Sequence, residues 1–339
     1  MGSRIAPGII ARYLPGVALA GGIGLLAWGG QQLEAAVLGQ PLLEGLVLAI
    51  LLGMILRTLW TPGALWQSGV AFTAKEVLEV AILLLGASVN LPALFGAGPL
   101  LVPAIMLAVA LGIGASYSIG RLLGLHPRLA VLVACGNSIC GNSAIAAVAP
   151  VIGAHADEIA ASIGLTAVIG VGVVLGLPLL IPLLHYSFYQ YGVLAGMTVY
   201  AVPQVLAATF PVSTLSGQVG TLVKLVRVLM LGPVILFFGL RSGAGAARRP
   251  PLHKLVPWFI VGFLGLAALR SLGALPAEIA EPLRTLSSWF TIAAMAALGL
   301  GVDIRALRRV GRPVAGAVLA SLAVLLLISV TLIFAFGIH

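Results

Sequence analysis

Residues Ala134–Gly153 read ACGNSICGNSAIAAVAPVIG. Long apolar segments lie on both sides, yet here Asn137, Ser138, Asn142 and Ser143 arrive as a doubled Gly-Asn-Ser, with Gly136 and Gly141 five residues apart. A backbone group without a partner is costly in hydrocarbon, so a helix is interrupted there only where protein or a wet cavity satisfies the freed groups. A broken helix at membrane depth is one way to build a transport site, because half-helix N-termini attract anions and unwound carbonyls coordinate cations. Small residues also let helices pack closely. Close packing needs no asparagine, however, and this stretch has two. Asn137, Ser138, Asn142 and Ser143 are therefore candidate substrate-binding residues.

The chain around this stretch is that of an all-α polytopic membrane protein. Of its 339 residues 61% are hydrophobic and 8% charged, against roughly 25% charged in soluble domains. The net charge of +9 does not indicate a nucleic-acid partner, because the basic residues sit in short clusters between apolar spans and report topology. Cys135 and Cys140 are the only cysteines. Their spacing suits neither a zinc site nor a disulfide framework, and they read as small packing residues. The first apolar segment follows Arg4 and Arg12 without a small-residue cleavage site, so it counts as a span.

Cutting at charged, polar and Gly/Pro-rich breaks leaves eleven segments near the ~20 residues that cross a bilayer. They run 14–30, 42–60, 76–92, 98–120, 129–152, 159–184, 192–210, 219–240, 255–273, 284–303 and 313–337, within a single transmembrane domain, 1–339. With the N-terminus cytoplasmic, inner ends and loops collect Arg4, Arg12, Arg57, Lys75, Arg121, Arg128, Arg241, Arg248, Arg249, Lys254, Arg305, Arg308, Arg309 and Arg312. The outer connections hold Glu34, Asp157, Glu158, Glu278 and Glu281. This bias follows the positive-inside rule and places the C-terminus, at His339, outside. The loop 241–254, RSGAGAARRPPLHK, is a linker, and HYSFYQY at 185–191, with His185, suits an interfacial belt.

An internal repeat is suggested by three alignments. Setting Gly86 on Gly232 matches Val77, Val80, Leu83 and Leu85 to Val223, Val226, Leu229 and Leu231. Ile145, Ala146, Ala147 and Ala149 match Ile292, Ala293, Ala294 and Ala296, and Val102-Pro103 matches Val256-Pro257. One scheme fits all three: 14–30 is an extra N-terminal helix, 42–184 a first five-span repeat and 192–337 a second. An odd number of spans per unit inverts the copies. Span 10 then becomes the counterpart of span 5, broken near Ser287, Ser288 and Thr291, which join the candidate site.

Lys224 and Arg227, three apart on span 8, share a helix face. Val228–Leu240 is uncharged and covers ~20 Å of a hydrocarbon core ~30 Å thick. Arg227 therefore lies at membrane depth, where an arginine is expensive and marks function. Its neutralising partner is expected to be either the transported anion or a carboxylate, Glu79 or Glu76 on span 3. Tyr200 and Gln204, beside Pro203 on span 7, interrupt another apolar run and complete the candidate set. No H-E-x-x-H, paired intramembrane carboxylates or Cys with a His base appears, so an enzyme is not expected, nor a cofactor or metal.

CGNSICGNSA, PQVLAA and LVKLVRVLMLGPV together resemble a family of bacterial inner-membrane proteins assigned as sulfate exporters, over nearly the whole chain. That family in turn resembles the bile acid/sodium symporter fold. The resemblance implies ten core helices in two inverted five-helix repeats, with broken spans 5 and 10 crossing. Spans 2, 3, 7 and 8 would form an opposing panel from which Lys224 and Arg227 face the cleft. The chain departs from the expected pattern ahead of Gln204, where Tyr200 and Ala201 stand in place of a His and an acidic residue. The implied function is secondary transport of a small anion, sulfate or an organosulfonate, by alternating access, with the bilayer and a second copy in a homodimer as partners. The alternative is a sodium-coupled importer of an organic anion.

Overall fold

The computed structural model describes residues 9–38, 45–89, 100–241, 257–302 and 312–338. Arg4, Arg248, Arg249, Lys254, Val256, Arg305, Arg308, Arg309 and His339, used above for topology and the repeat, lie outside them. The described residues are helical, with no strand among them. In chain order the helices are α1 (Ile9–Leu38), α2 (Gly45–Leu59), and α3 (Ala64–Phe72), which runs through a π turn (Thr73–Val77) into α4 (Leu78–Leu85). Then come α5 (Leu101–Leu122), α6 (Pro127–Cys135) with its π extension (Gly136–Cys140), and α7 (Asn142–Ile152). Helix α8 (Ala156–Gly176) passes through Leu177–Leu179 into α9 (Leu180–Leu184). The remainder are α10 (Phe188–Thr198), α11 (Val202–Thr209), α12 (Thr214–Leu229), α13 (Leu231–Arg241), α14 (Trp258–Ser271), α15 (Ala277–Leu300) and α16 (Arg312–Ala335).

Six helical stretches of 22–28 residues are long and apolar enough to cross a membrane: Arg12–Val37, Leu101–Leu122, Asp157–Leu184, Thr214–Leu240, Ala277–Leu300 and Arg312–Ala335. Their outward faces carry large bare aliphatics, such as Leu26 at 70% and Leu179 at 72% exposure, which water would penalise and lipid would not.

The chain forms two compact units, Met1–Val89 with Gly262–Ile304, and Asn90–Val261 with Arg305–His339. These are not the consecutive halves of the expected repeat. In the first unit the helices meet backbone to backbone. A Cβ on Gly16 or Gly69 would collide with the facing helix where α1 crosses α3, and the same holds for Gly53 and Gly299 where α2 crosses α15. Lipid-embedded helices gain little from hydrophobic contact with one another, so small residues that allow close approach hold them together.

Helix α15 corrects an expectation. It runs unbroken from Ala277 to Leu300, so span 10 is not a broken helix. The reason is local: Ser287 Oγ donates to Ala81 O at 2.7 Å, Ser288 Oγ to Arg284 O at 3.1 Å and Thr291 Oγ1 to Ser287 O at 2.7 Å. Hydroxyls satisfied on helix carbonyls need no break, and residues 285–291 contain no glycine to make one.

In the second unit the segment 127–152 is not one helix but a hairpin, two helices joined at Gly141. Leu132 packs on Ile145 and Ala149, and a Cβ on Gly136 would lie 2.9 Å from Ile145 Cδ1, so α6 and α7 are antiparallel. At the open end Arg128 Nη1 lies 3.0 Å from His155 Nε2, and His126 Nδ1 lies 3.2 Å from Glu158 Oε1. Asp157 and Glu158 therefore stand at the same end as Arg128, not on the opposite side as expected.

The segment 188–209 is a second hairpin. Ser216 Oγ donates to Phe188 O at 2.7 Å and Gly196 faces Gly220 and Val223, so α10 and α12 run parallel. Val205 faces Gly220, whereas Phe210, just past α11, faces Gly217, so α11 and α12 run antiparallel. Tyr191 Oη donates to Ala208 O at 2.7 Å and closes the hairpin near its base. The long helix α8–α9 links the two bases, Ala156 being next to the first and Leu184 next to the second. The hairpins thus enter from opposite ends of this helix, and their tips meet midway along it.

Candidate functional site

Each tip is made by a local failure of the α-helix that the sequence imposes. In the first hairpin α6 widens into a π turn, with Gly141 N donating to Gly136 O at 2.9 Å. The chain then reverses at Gly141, φ 62° and ψ −125°, a conformation open to glycine and closed to side chains. In the second hairpin Val199 and Ala201 are extended, with ψ 143° and 150°, and Pro203 follows at the start of α11. Proline disfavours the helical conformation in the residue before it and is at home in a first helical turn. The tips touch: a Cβ on Gly141 would lie 3.3 Å from Tyr200 Cβ.

The doubled Gly-Asn-Ser divides into two roles. Its first copy is wholly buried, Asn137 and Ser138 each being 0% exposed. The Asn137 amide donates to Val318 O on α16 at 3.3 Å, while Asn137 Oδ1 and Ser138 Oγ have no partner among the described residues. Its second copy opens α7, and Asn142 and Ser143 are exposed. Asn142 Oδ1 accepts from Thr166 Oγ1 at 3.0 Å, which fixes the amide against α8. Gly141, the N-cap of α7, offers no side chain to cap it, and the first N–H groups of the helix have no acceptor inside it.

Lys224 and Arg227, 0% and 1% exposed, reach the tips from α12. The Lys224 ammonium donates to Ile139 O and, at 2.8 Å, to Val199 O. Arg227 donates through Nε to Ser138 O at 3.1 Å and through Nη2 to Asn137 O at 3.0 Å. Its Nη1 serves Gly196 O at 2.7 Å and Val199 O at 3.4 Å. Five carbonyls at the C-terminal ends of α6 and α10 are thus held by two side chains of one helix. Among the described residues, backbone carbonyls accept from both cations. Glu76 pairs with its neighbour Lys75 at 3.0 Å.

The other expected residues separate. Gln204, 2% exposed, caps α11 by accepting from Ala201 N at 3.2 Å, and its amide abuts Gly170 of α8. The Tyr200 ring packs in an apolar cluster with Leu125, Ala130, Val133, Leu165 and Val318, and its Oη has no partner among the described residues. Tyr200 is thus a wedge behind the tips. Ser287, Ser288 and Thr291 lie in the first unit, their hydroxyls taken up as described. Sequence reasoning missed Thr166 and Gly170, where α8 meets the two tips. It also missed Ser116 and Ser321 on α5 and α16, buried hydroxyls without partners among the described residues. Single small polar residues in apolar spans give no signal that separates them from packing. Cys135 and Cys140 are both free and buried.

Charge at the tips is unbalanced. Neither hairpin nor α12 contains an Asp or Glu. Two helix C-termini supply about −0.5 elementary charge each, against two full cations and two helix N-termini of about +0.5 each. The sum is positive, and its exposed part is the start of α7.

Comparison with known proteins places the chain. The family described as Conserved hypothetical protein 698 matches residues 15–317. A UPF0324 membrane protein of Bradyrhizobium diazoefficiens is 53% identical over 96% of this chain and 93% of its own length. One of Brucella melitensis is 55% identical over 97% and 92%, and one of Bacillus cereus 34% identical over 86% and 87%. No solved structure gives a significant match. The chain belongs to this family of membrane proteins, whose names specify no substrate.

Proposed function

We propose that this member of the family is a secondary transporter that moves a small oxyanion, sulfate or an organosulfonate, across the bacterial inner membrane by alternating access. The observation that carries the reading is the charge at the hairpin tips: an exposed, uncapped helix start at Asn142 and Ser143 beside two buried cations, with no carboxylate in the elements that build it. Backbone N–H groups at a helix N-terminus bind tetrahedral oxyanions readily. Irregular backbone at membrane depth is tolerated where it lines a cavity, and paired half-helices at the midplane are a known plan for a transport site.

In this reading α1, α2, α3–α4, α5, α8–α9, α12–α13, α14, α15 and α16 cross the bilayer and the two hairpins do not. The eleven expected spans become nine crossings and two re-entrant segments. Because two crossings are lost together, the N-terminus stays cytoplasmic and the C-terminus outside. The anion binds at the N-terminal end of α7, with Asn142 and Ser143 as donors and Lys224 and Arg227 as a fixed positive field behind them. Export follows from the family resemblance and not from the geometry.

The test is thermal unfolding of the purified protein against sulfate, organosulfonates and carboxylates. Concentration-dependent stabilisation by a sulfur oxyanion is expected. Stabilisation by carboxylates alone would move the protein to the organic-anion class, and silence towards every anion would end the proposal.

A further inference from the structure

Unwound carbonyls at half-helix ends are a common receptacle for a dissociable coupling cation. At these tips the receptacle is already filled from within. Ile139 O and Val199 O converge on the Lys224 ammonium, and Asn137 O, Ser138 O and Gly196 O on the Arg227 guanidinium. Both side chains leave one helix three residues apart and are buried along their whole length. An ammonium is a compact point charge with three donors, and a guanidinium is a planar fork that serves several oxygens at once. Between them they match a compact oxygen pair at the meeting of the tips and a wider set along the two half-helix ends. Neither can leave with a cargo.

We propose that Lys224 and Arg227 are tethered cations standing where a free coupling cation would bind, so that anion binding by this protein is independent of sodium. The inference deepens the anion-transporter reading and rests on it. It also explains how two cations sit at membrane depth without a carboxylate: the oxygens that would coordinate a mobile cation coordinate them.

The experiment follows unfolding in sodium chloride and in choline chloride at equal ionic strength, with no sulfate or sulfonate present. The wild-type melting temperature is expected to be the same in both salts. Lys224→Ala bares Ile139 O and leaves Val199 O only the 3.4 Å contact of Arg227 Nη1, beside two negative helix ends. It should melt lower than wild type in choline and recover by about 3 °C or more in sodium, growing with the logarithm of concentration. Lys224→Arg, which keeps a tethered charge, should ignore the salt. A sodium-dependent shift in wild type, or a Lys224→Ala protein that is equally unstable in both salts, overturns the proposal. If Lys224→Ala does not fold, wild type decides: its sulfate-induced shift should be equal in the two salts, and loss of that shift in choline overturns the idea. Silence towards sulfate in both salts would count against the transporter reading, while the cation comparison would still stand.

Discussion

Replacing Arg227 by Ala tests the arrangement at the tips. The change removes the donors to Asn137 O, Ser138 O and Gly196 O, while Val199 O keeps Lys224. A buried carbonyl stripped of its donor costs ~1–3 kcal/mol, and emptying a fully buried long side chain adds ~3 kcal/mol. Against this, the nearby Lys224 loses a like charge about 6 Å away, worth ~3 kcal/mol at an effective dielectric of 20. The net is a destabilisation on the order of 5 kcal/mol, which lowers the melting temperature by roughly 10 °C in a protein of this size. Arg227→Lys keeps the charge but not the fork, and should fall between. Tryptophan fluorescence during a thermal ramp, with and without sulfate, reads both stability and binding. If Arg227→Ala melts within about 2 °C of wild type and loses only the anion-induced shift, the carbonyl caps are wrong and the guanidinium is itself the anion ligand.

Asn142→Asp places a carboxylate at the start of α7, where it helps the helix by ~0.3–1 kcal/mol but fills the positive end that the anion needs. The protein should melt at or slightly above wild type and show no sulfate-induced shift; a retained shift would move the site elsewhere. Gly141→Ala forces a side chain into a glycine-only conformation and against Tyr200, and should cost ~1–3 kcal/mol or more, read as a lower melting temperature and poor folding yield. Tyr200→Phe removes a buried hydroxyl without a protein partner, so stability should change by less than about 1 kcal/mol and the sulfate response should remain. Loss of that response alone would show the hydroxyl meeting the substrate.

The sequence made the site more legible than the path of the chain through it. Doubled Gly-Asn-Ser in an apolar run announced an interruption, and the uncharged run after Arg227 announced a cation at depth. The hairpin was hidden because Pro127–Cys140 and Asn142–Ile152 together have the length of one crossing helix. Their true lengths suit half-spans, but only the glycine conformation at 141 reveals the joint. A signal did exist in the charges: Asp157 and Glu158 read as outer residues only if 127–152 is one crossing helix, whereas Glu158 in fact pairs with His126 at the hairpin base. Span 10 misled in the opposite way. Ser287, Ser288 and Thr291 looked like a second interruption, yet hydroxyls can return to helix carbonyls while asparagines at a glycine break cannot. The repeat alignments matched small and aliphatic letters that any apolar helix supplies, and they gave no hint that α10–α11 forms a second hairpin, marked in sequence only by Tyr200, Pro203 and Gln204. The cation partners were the hardest to foresee, because backbone carbonyls carry no letter.

The central claim is best tested by counterflow in proteoliposomes. Vesicles holding the purified protein and loaded with unlabelled sulfate should accumulate radiolabelled sulfate from outside, equally in sodium and choline media, and Asn142→Asp vesicles should not. Absence of exchange for sulfate and for organosulfonates, by protein shown to be folded in the same vesicles, would contradict the account.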